Sequence, residues 1–155
     1  FRFEFKFALA AIIALLHDIF IVIAIFSIFK IEVNSPFIAA LLTVFGYSVN
    51  DTIVIFDRIR ENIRRKQKDE YGAVVDQSIN QSLVRTLNTS LTTLIVLLAL
   101  LVGFYYFIGS FDLIAFVVAL LIGVVVGTYS SVFIAAPLWL DLTELQARRA
   151  RRRPA

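Results

Sequence analysis

Four ionisable side chains lie inside long apolar stretches of this chain: His17, Asp18, Asp51 and Arg85. Placing a charge at the centre of a membrane helix costs roughly 3 kcal/mol, so such residues are functional candidates by default. Burial disfavours an ionised carboxylate, whereas a neighbouring cation favours it. The residue types therefore predict proton translocation, with Asp51 binding and releasing the proton while Arg85 moves towards it and away from it.

Polar residues recur at helical spacing around Asp51 and Arg85, so that each charge belongs to a polar helix face. The first face comprises Thr43, Tyr47, Asn50 and Asp51. The second comprises Arg85, Asn88, Thr89 and Thr92. Polar faces on two membrane helices should meet each other or a water-filled crevice, because lipid offers them no hydrogen bonds. We therefore expect the two faces to oppose one another.

Depth along the helices also places Asp51 beside Arg85. At a rise of 1.5 Å per residue, Asp51 lies about 24 Å below Ser35 and Arg85 about 28 Å below Phe104. Both residues therefore fall in the inner half of a hydrocarbon core about 30 Å thick. Two interpretations remain open at this point: a static ion pair that only satisfies two buried charges, or a pair that titrates.

A second candidate site lies in the first apolar stretch, where His17 precedes Asp18. Asp18 is about 16 Å along the helix from Phe7, close to the membrane midplane. The two side chains form either a second proton relay or a structural hydrogen-bonded pair.

The elements that position these residues are four predicted membrane spans. The chain has 155 residues, 59% hydrophobic and 17% charged, and its charges are clustered, a pattern that indicates a membrane protein. The spans cover about 7–29, 36–56, 83–107 and 111–140. Ser35 and Pro36 are typical of an N-cap and first helical residue, and Gly109-Ser110 of a tight turn. The predicted fold is an all-α bundle of four transmembrane helices, residues 1–140.

The distribution of Lys and Arg predicts the orientation of the bundle. Thirteen basic residues fall at the two termini or between the second and third spans, whereas Lys30 alone falls on the other side. By the positive-inside rule, both ends of this piece are expected in the cytoplasm. The basic residues are thus interpreted as topology determinants and lipid partners, and no nucleic-acid binding is expected.

The segment 57–82 is expected to form a cytoplasmic interfacial connection. Its charges follow helical spacing, so the second span should continue beyond the membrane, and Val74, Val75, Ile79 and Leu83 form an apolar stripe typical of an interfacial helix. Residues 141–155 are expected to form a basic cytoplasmic tail that frays from Arg148 onwards.

The fourth span carries small residues at every fourth position, which allows a neighbouring helix to approach closely. These residues are Ala119, Gly123, Gly127, Ser131 and Ala135. Trp139, Tyr105 and Tyr106 are expected in the aromatic belt at the membrane–water interface.

Several segments together resemble the SecF family of protein-export membrane subunits, including the SecF half of fused SecDF chains. The most specific are Gly46 to Thr52 and Phe56 to Asn62. Further segments follow in the family's order: Phe1 to Glu4, His17-Asp18, Ser78 to Leu87, Ser90 to Leu94 and Ile122 to Ser131. The resemblance covers nearly the whole chain except its basic tail.

The resemblance implies a subunit of the RND superfamily in the bacterial inner membrane, the C-terminal part of a six-helix half. It implies proton-driven protein export with SecD, separate or fused, the SecYEG channel and a translocating preprotein as partners. The family's proton-path residues correspond to Asp51 and Arg85. Its first two helices and periplasmic domain precede this segment, and a chain that begins with Phe1 and contains no Met is expected to be part of a longer protein.

Two other functional classes share some of these sequence features. An RND-type exporter of lipids or drugs would share the helices and differ in its periplasmic domain. An intramembrane aspartyl protease would use Asp18 and Asp51, but the residues around Asp51 depart from the Gly-x-Gly-Asp pattern of such enzymes. No enzymatic activity, cofactor or metal is expected, since one His and no Cys make a poor ligand set.

Overall fold

The computed structural model describes residues 2–65 and 71–151, and within these ranges the chain is helical without any strand. The helices are α1 (Arg2–Ile28), α2 (Ser35–Arg65), α3 (Tyr71–Gly103), α4 (Phe111–Ser130) and α5 (Ala136–Arg151). A π-helical turn, Phe104–Ile108, extends α3, and another, Ser131–Ala135, joins α4 to α5 without a break.

Four helical segments are long and apolar enough to cross a membrane: Phe5–Ile28, Ser35–Arg65, Tyr71–Ile108 and Phe111–Leu145. The prediction of an all-α membrane protein with four spans is therefore confirmed. Four of the predicted basic topology determinants, Lys66, Lys68, Arg152 and Arg153, lie outside the described residues. We call the end of the bundle that carries Arg58, Arg60, Arg64 and Arg65 the basic end.

The segment 57–82 is the one expected to form an interfacial connection. Its described residues belong to the end of α2 and the beginning of α3, which are long continuous helices. Val74 and Val75, which belong to the apolar stripe predicted there, are buried within the bundle. Asn62 connects the two helices by donating to Ser78 Oγ at 2.8 Å and to Gln81 Oε1 at 3.0 Å. The described part of the tail is also helical, because α5 continues to Arg151.

The connections at the other end are short and capped. Asn34, rather than the expected Ser35, caps α2, because its Oδ1 accepts the Phe37 backbone N–H at 3.1 Å. Its side-chain amide donates to Asp112 at the start of α4. Gly109 closes the turn before α4 with φ +65°, a left-handed conformation that glycine adopts without steric cost.

The buried interior has two apolar clusters separated by a polar layer. The cluster at the basic end includes Phe7, Ile55, Ile59 and Trp139, and the other includes Val22, Phe26, Val44 and Val124. Between them along the helices lie the buried polar residues Asp18, Ser48, Asp51, Thr52, Ser130 and Ser131. The candidate functional residues are thus held between two apolar regions.

Trp139 does not belong to the interfacial belt in which the sequence placed it. Its side chain is fully buried and stacks on Phe7 with ring centroids 4.8 Å apart, while Tyr71 meets it edge-on at 6.4 Å. The rotation of α5 turns the indole towards α1. Tyr105 and Tyr106 are exposed at the opposite end of the bundle.

The small residues of α4 and the following turn are all buried, and α2 packs against them. Gly123 faces Val44 and Gly127 faces Ser48. This close approach brings α2, which carries Asp51, into direct contact with α4.

Candidate functional site

Asp51 lies in the polar layer on α2 with only 5% of its surface exposed. Among the described residues, its Oδ2 is buried without a hydrogen-bond partner. Leaving a buried polar atom unpaired costs about 1–3 kcal/mol, and more when the group is charged. The described chain therefore leaves the ionised form of Asp51 without a hydrogen-bond donor at Oδ2.

Arg85 is exposed on α3, and its charge acts on the Asp51 carboxylate across the space between α2 and α3. Both residues are described by the structure, and their side chains form no ion pair with each other. The direct contact implied by the static ion-pair interpretation is therefore absent.

The polar face predicted on α3 does not pack against α2 as expected. Asn88, Thr89 and Thr92 are exposed along with Arg85, and the hydroxyls of Thr89 and Thr92 donate to carbonyls of their own helix. On α2, Thr43 and Asn50 are likewise exposed.

The face of α3 that enters the bundle consists of small polar residues at every fourth position, which sequence reasoning missed: Ser78, Ser82, Thr86 and Ser90. The same spacing of small residues identified the packing face of α4, so the sequence could also have predicted this face of α3.

Hydroxyl groups connect α2, α3 and α4 within the polar layer. Tyr47 Oη donates towards Ser90 Oγ at 3.4 Å or Thr93 Oγ1 at 3.5 Å. Ser90 Oγ lies 2.6 Å from Thr128 Oγ1 on α4. The contact from α2 to α3 is long, whereas that from α3 to α4 is short. Tyr47, one of the predicted supporting residues, thus bridges α2 and α3.

Asp18 is fully buried and accepts hydrogen bonds from other helices. Ser48 Oγ on α2 donates to Asp18 Oδ2 at 2.6 Å, and Ser130 Oγ on α4 donates to the same oxygen at 2.8 Å. His17 Nδ1 lies 3.1 Å from the other oxygen, Oδ1. Neither serine was singled out as a partner of Asp18 from the sequence.

The two buried aspartates do not form a catalytic dyad. An aspartyl protease requires two carboxyl groups that share a proton. Within the described chain, the hydrogen bonds of Asp18 run to His17, Ser48 and Ser130, and none joins it to Asp51.

An open cleft of about 460 Å³ separates α2 from α3 at the basic end. Its lining is mostly polar and comprises Val54, Asp57, Arg58, Glu61, Gln81, Ser82 and Arg85. Water that enters this cleft can therefore reach Arg85. In residues 2–65 and 71–151, His, Asp and Glu side chains form no group of three that could hold a metal ion.

The family model "Protein export membrane protein SecD/SecF, C-terminal" matches residues 1–145. Protein translocase subunit SecF from Alicyclobacillus acidocaldarius is 49% identical over 154 residues, covering 97% of this chain and 48% of the relative. Protein translocase subunit SecDF from Bacillus subtilis is 44% identical over 142 residues, covering 90% of this chain and 19% of the relative.

The crystal structure of SecDF in its super-membrane-facing form superposes with a TM-score of 0.87 at 44% identity. The match covers 99% of this chain and 20% of that one. The chain spans less than half the length of the SecF relatives that it matches.

Proposed function

The chain belongs to the SecD/SecF family of protein-export membrane proteins, and from this premise we propose that it forms the proton-coupled helix bundle of a SecF subunit. In this role it uses the proton gradient to assist the movement of preproteins across the bacterial inner membrane, without catalysing a chemical reaction. The observation that carries the proposal is the buried Asp51 carboxyl group, which has one unpartnered oxygen among the described residues while the charge of Arg85 acts on it.

The unpartnered oxygen supports a group that changes its protonation state. An ionised carboxylate in this position is costly, and taking up a proton removes that cost. The approach of Arg85 offsets the cost in a different way, by supplying an opposite charge. Asp51 therefore releases its proton when Arg85 approaches and binds one when Arg85 withdraws.

The packing of the helices indicates which one moves. Gly123 and Gly127 bring α4 into close contact with Val44 and Ser48 of α2, so these two helices move together. The buried face of α3 carries small hydroxyl residues, and its contacts with Tyr47 are long. We infer that the stretch of α3 that carries Arg85, which lies between its close contacts at Ser78 and at Ser90, shifts against α2.

The cleft between α2 and α3 supplies one half of the proton route. Its polar lining reaches from the basic end to Arg85. With the basic end in the cytoplasm, as the positive-inside rule requires, this cleft admits water from the cytoplasmic side. The route to the other side of the membrane runs along the exposed polar residues Asn88 and Thr89, where SecD completes the bundle.

The proposed partners follow from the family and from the length of the relatives. SecD, either separate or fused, packs against this half, and the assembly works with the SecYEG channel on a translocating preprotein. The exposed apolar surface of the helices contacts the lipid bilayer.

Export into membrane vesicles tests the proposal. Vesicles containing SecYEG, SecD and a full-length SecF are compared with and without an imposed proton gradient, using wild type and Asp51→Asn. The variant should lose the gradient-stimulated part of export, while ATP-driven insertion of the preprotein into the channel persists. If correctly folded Asp51→Asn vesicles respond fully to the gradient, Asp51 is not the coupling site.

A further inference from the structure

We propose that His17 and Asp18 form a second proton-binding site, in which Ser48 and Ser130 hold the carboxylate and His17 takes up the proton. The inference adds a site to the proposed proton-coupled function and to that extent rests on it. Its test measures proton binding directly and does not depend on export.

The carboxylate of Asp18 is fixed by hydroxyl groups from two other helices. Its Oδ2 accepts from Ser48 Oγ at 2.6 Å and from Ser130 Oγ at 2.8 Å. Ser130 Oγ also lies 3.2 Å from the Gly127 carbonyl oxygen, but its single proton serves the shorter contact. An ionised carboxylate only accepts hydrogen bonds, so two hydroxyl donors suit the charged form of Asp18.

The remaining carboxylate oxygen faces an imidazole. His17 Nδ1 lies 3.1 Å from Asp18 Oδ1, at a distance where an Nδ1–H group donates to the carboxylate. The position left for a proton to bind or leave is then Nε2 of His17. The His17 side chain keeps 33% of its surface exposed, whereas that of Asp18 keeps none.

Charge balance makes the two residues a single unit. A buried carboxylate is costly unless an opposite charge accompanies it. A proton bound at Nε2 converts His17 to imidazolium, which neutralises Asp18 across the existing hydrogen bond. In the described part of the chain, His17 is the one group with a cationic form that contacts Asp18.

Few other titratable groups face this pair. On α2 the nearest along the helix are Tyr47, one residue before Ser48, and Asp51, three residues beyond it, and on α4 it is Tyr129, which is exposed beside Ser130. The other described ionisable groups on α1 and on the helices packed against it lie towards the ends of the bundle, among them Lys6, Asp57, Arg60, Asp112, Asp141 and Glu144. Asp51 is therefore the residue whose charge state can affect proton binding by the His17–Asp18 pair, because neighbouring titratable groups influence one another.

Nitrogen NMR of the histidine ring tests the proposal. Full-length SecF with SecD, labelled with ¹⁵N-histidine, is reconstituted in lipid nanodiscs, and the His17 signals are assigned from their loss in His17→Asn. His17 is the single histidine of this chain. Its ring nitrogens should change from the neutral to the cationic form between about pH 5 and pH 9. Signals that stay constant over this range in the wild type overturn the proposal.

Asp18→Asn shows whether the two residues act together. The amide keeps the size of the side chain but removes the negative charge, so the pH dependence of the His17 signals should differ from that of the wild type. The matched control is Ser131→Ala, since Ser131 is buried beside Ser130 but donates to the Thr128 carbonyl. If folded Asp18→Asn gives the same His17 titration as the wild type, the two residues do not form a paired site. If Asp18→Asn does not fold, the wild-type titration alone tests whether His17 binds a proton.

Asp51→Asn separates this proposal from the main one. His17 should still titrate in that variant even when the gradient response of export is lost. Loss of the His17 titration in Asp51→Asn would show that the pair is not a site of its own.

Discussion

Gly123 on α4 faces Val44 on α2 so closely that a Cβ atom on the glycine would lie 2.1 Å from Val44 Cγ2 and 2.9 Å from its Cβ. No side chain larger than hydrogen fits at this position without a shift of the two helices. One turn further along, a Cβ at Gly127 would lie 3.0 Å from Ser48 Cβ. The contact therefore fixes α2 against α4 next to the serine that binds Asp18.

Gly123→Ala should destabilise the protein by about 1–3 kcal/mol, the usual cost of overpacking a well-packed contact. Gly46→Ala is the matched control, because Gly46 lies on α2 with nothing within 4 Å of the added methyl group. Thermal unfolding of the two variants in the same lipid nanodiscs measures the difference. Equal unfolding temperatures would refute the close contact between α2 and α4.

The larger substitution Gly127→Leu should be still more disruptive, whereas Val125→Leu should be mild because Val125 is 53% exposed on the opposite side of α4. The fraction of protein that stays monodisperse after heating compares the two. Similar losses at both positions would mean that the small-residue face was assigned to the wrong side of the helix.

Arg85→Met should abolish the response of export to the proton gradient, because it removes the charge that acts on Asp51 while keeping a long side chain. Arg64→Met provides the control, since Arg64 is exposed in the last turn of α2 and away from the polar layer. The measurement is gradient-stimulated export into vesicles, normalised to the amount of folded protein. A full response with Arg85→Met would remove Arg85 from the mechanism.

Asn62→Ala should cost about 1–3 kcal/mol of stability, because it breaks the link between the end of α2 and the beginning of α3. Asn62 is 5% exposed and bonds to Ser78 and Gln81. Asn80→Ala, at an exposed position on α3, should change the unfolding temperature little. If the two variants unfold alike, the buried amide does not hold these helix ends together.

A cysteine at Val33 should react with a membrane-impermeant thiol reagent in intact cells, whereas one at Ala150 should react only after the membrane is opened. The expectation follows from thirteen basic residues on one side against one on the other. This chain has no cysteine of its own, so each label reports a single site. Labelling of Ala150→Cys from outside would contradict a cytoplasmic C-terminal end.

The sequence alone was sufficient to locate the helices and to identify the ionisable residues within them. A span needs about 20 apolar residues, so uninterrupted apolar stretches identify four helices. Asp51 and Arg85 could be named because charges inside such stretches are rare and costly. Small residues at every fourth position also mark one helix face, since 3.6 residues per turn keep them in line.

The tertiary structure decided which faces meet and which partners each polar group has. One residue along a helix turns the side chain by about 100°, so the polar spacing of α3 did not reveal that Ser78 to Ser90, rather than Arg85, faces inwards. The same rotation buries Trp139. Ser48 and Ser130 lie 30 and 112 residues from Asp18, and serines are ordinary in membrane helices. Only the packing of α1, α2 and α4 brings their hydroxyl groups to one carboxylate, because hydrogen bonds depend on distances that helical periodicity does not contain.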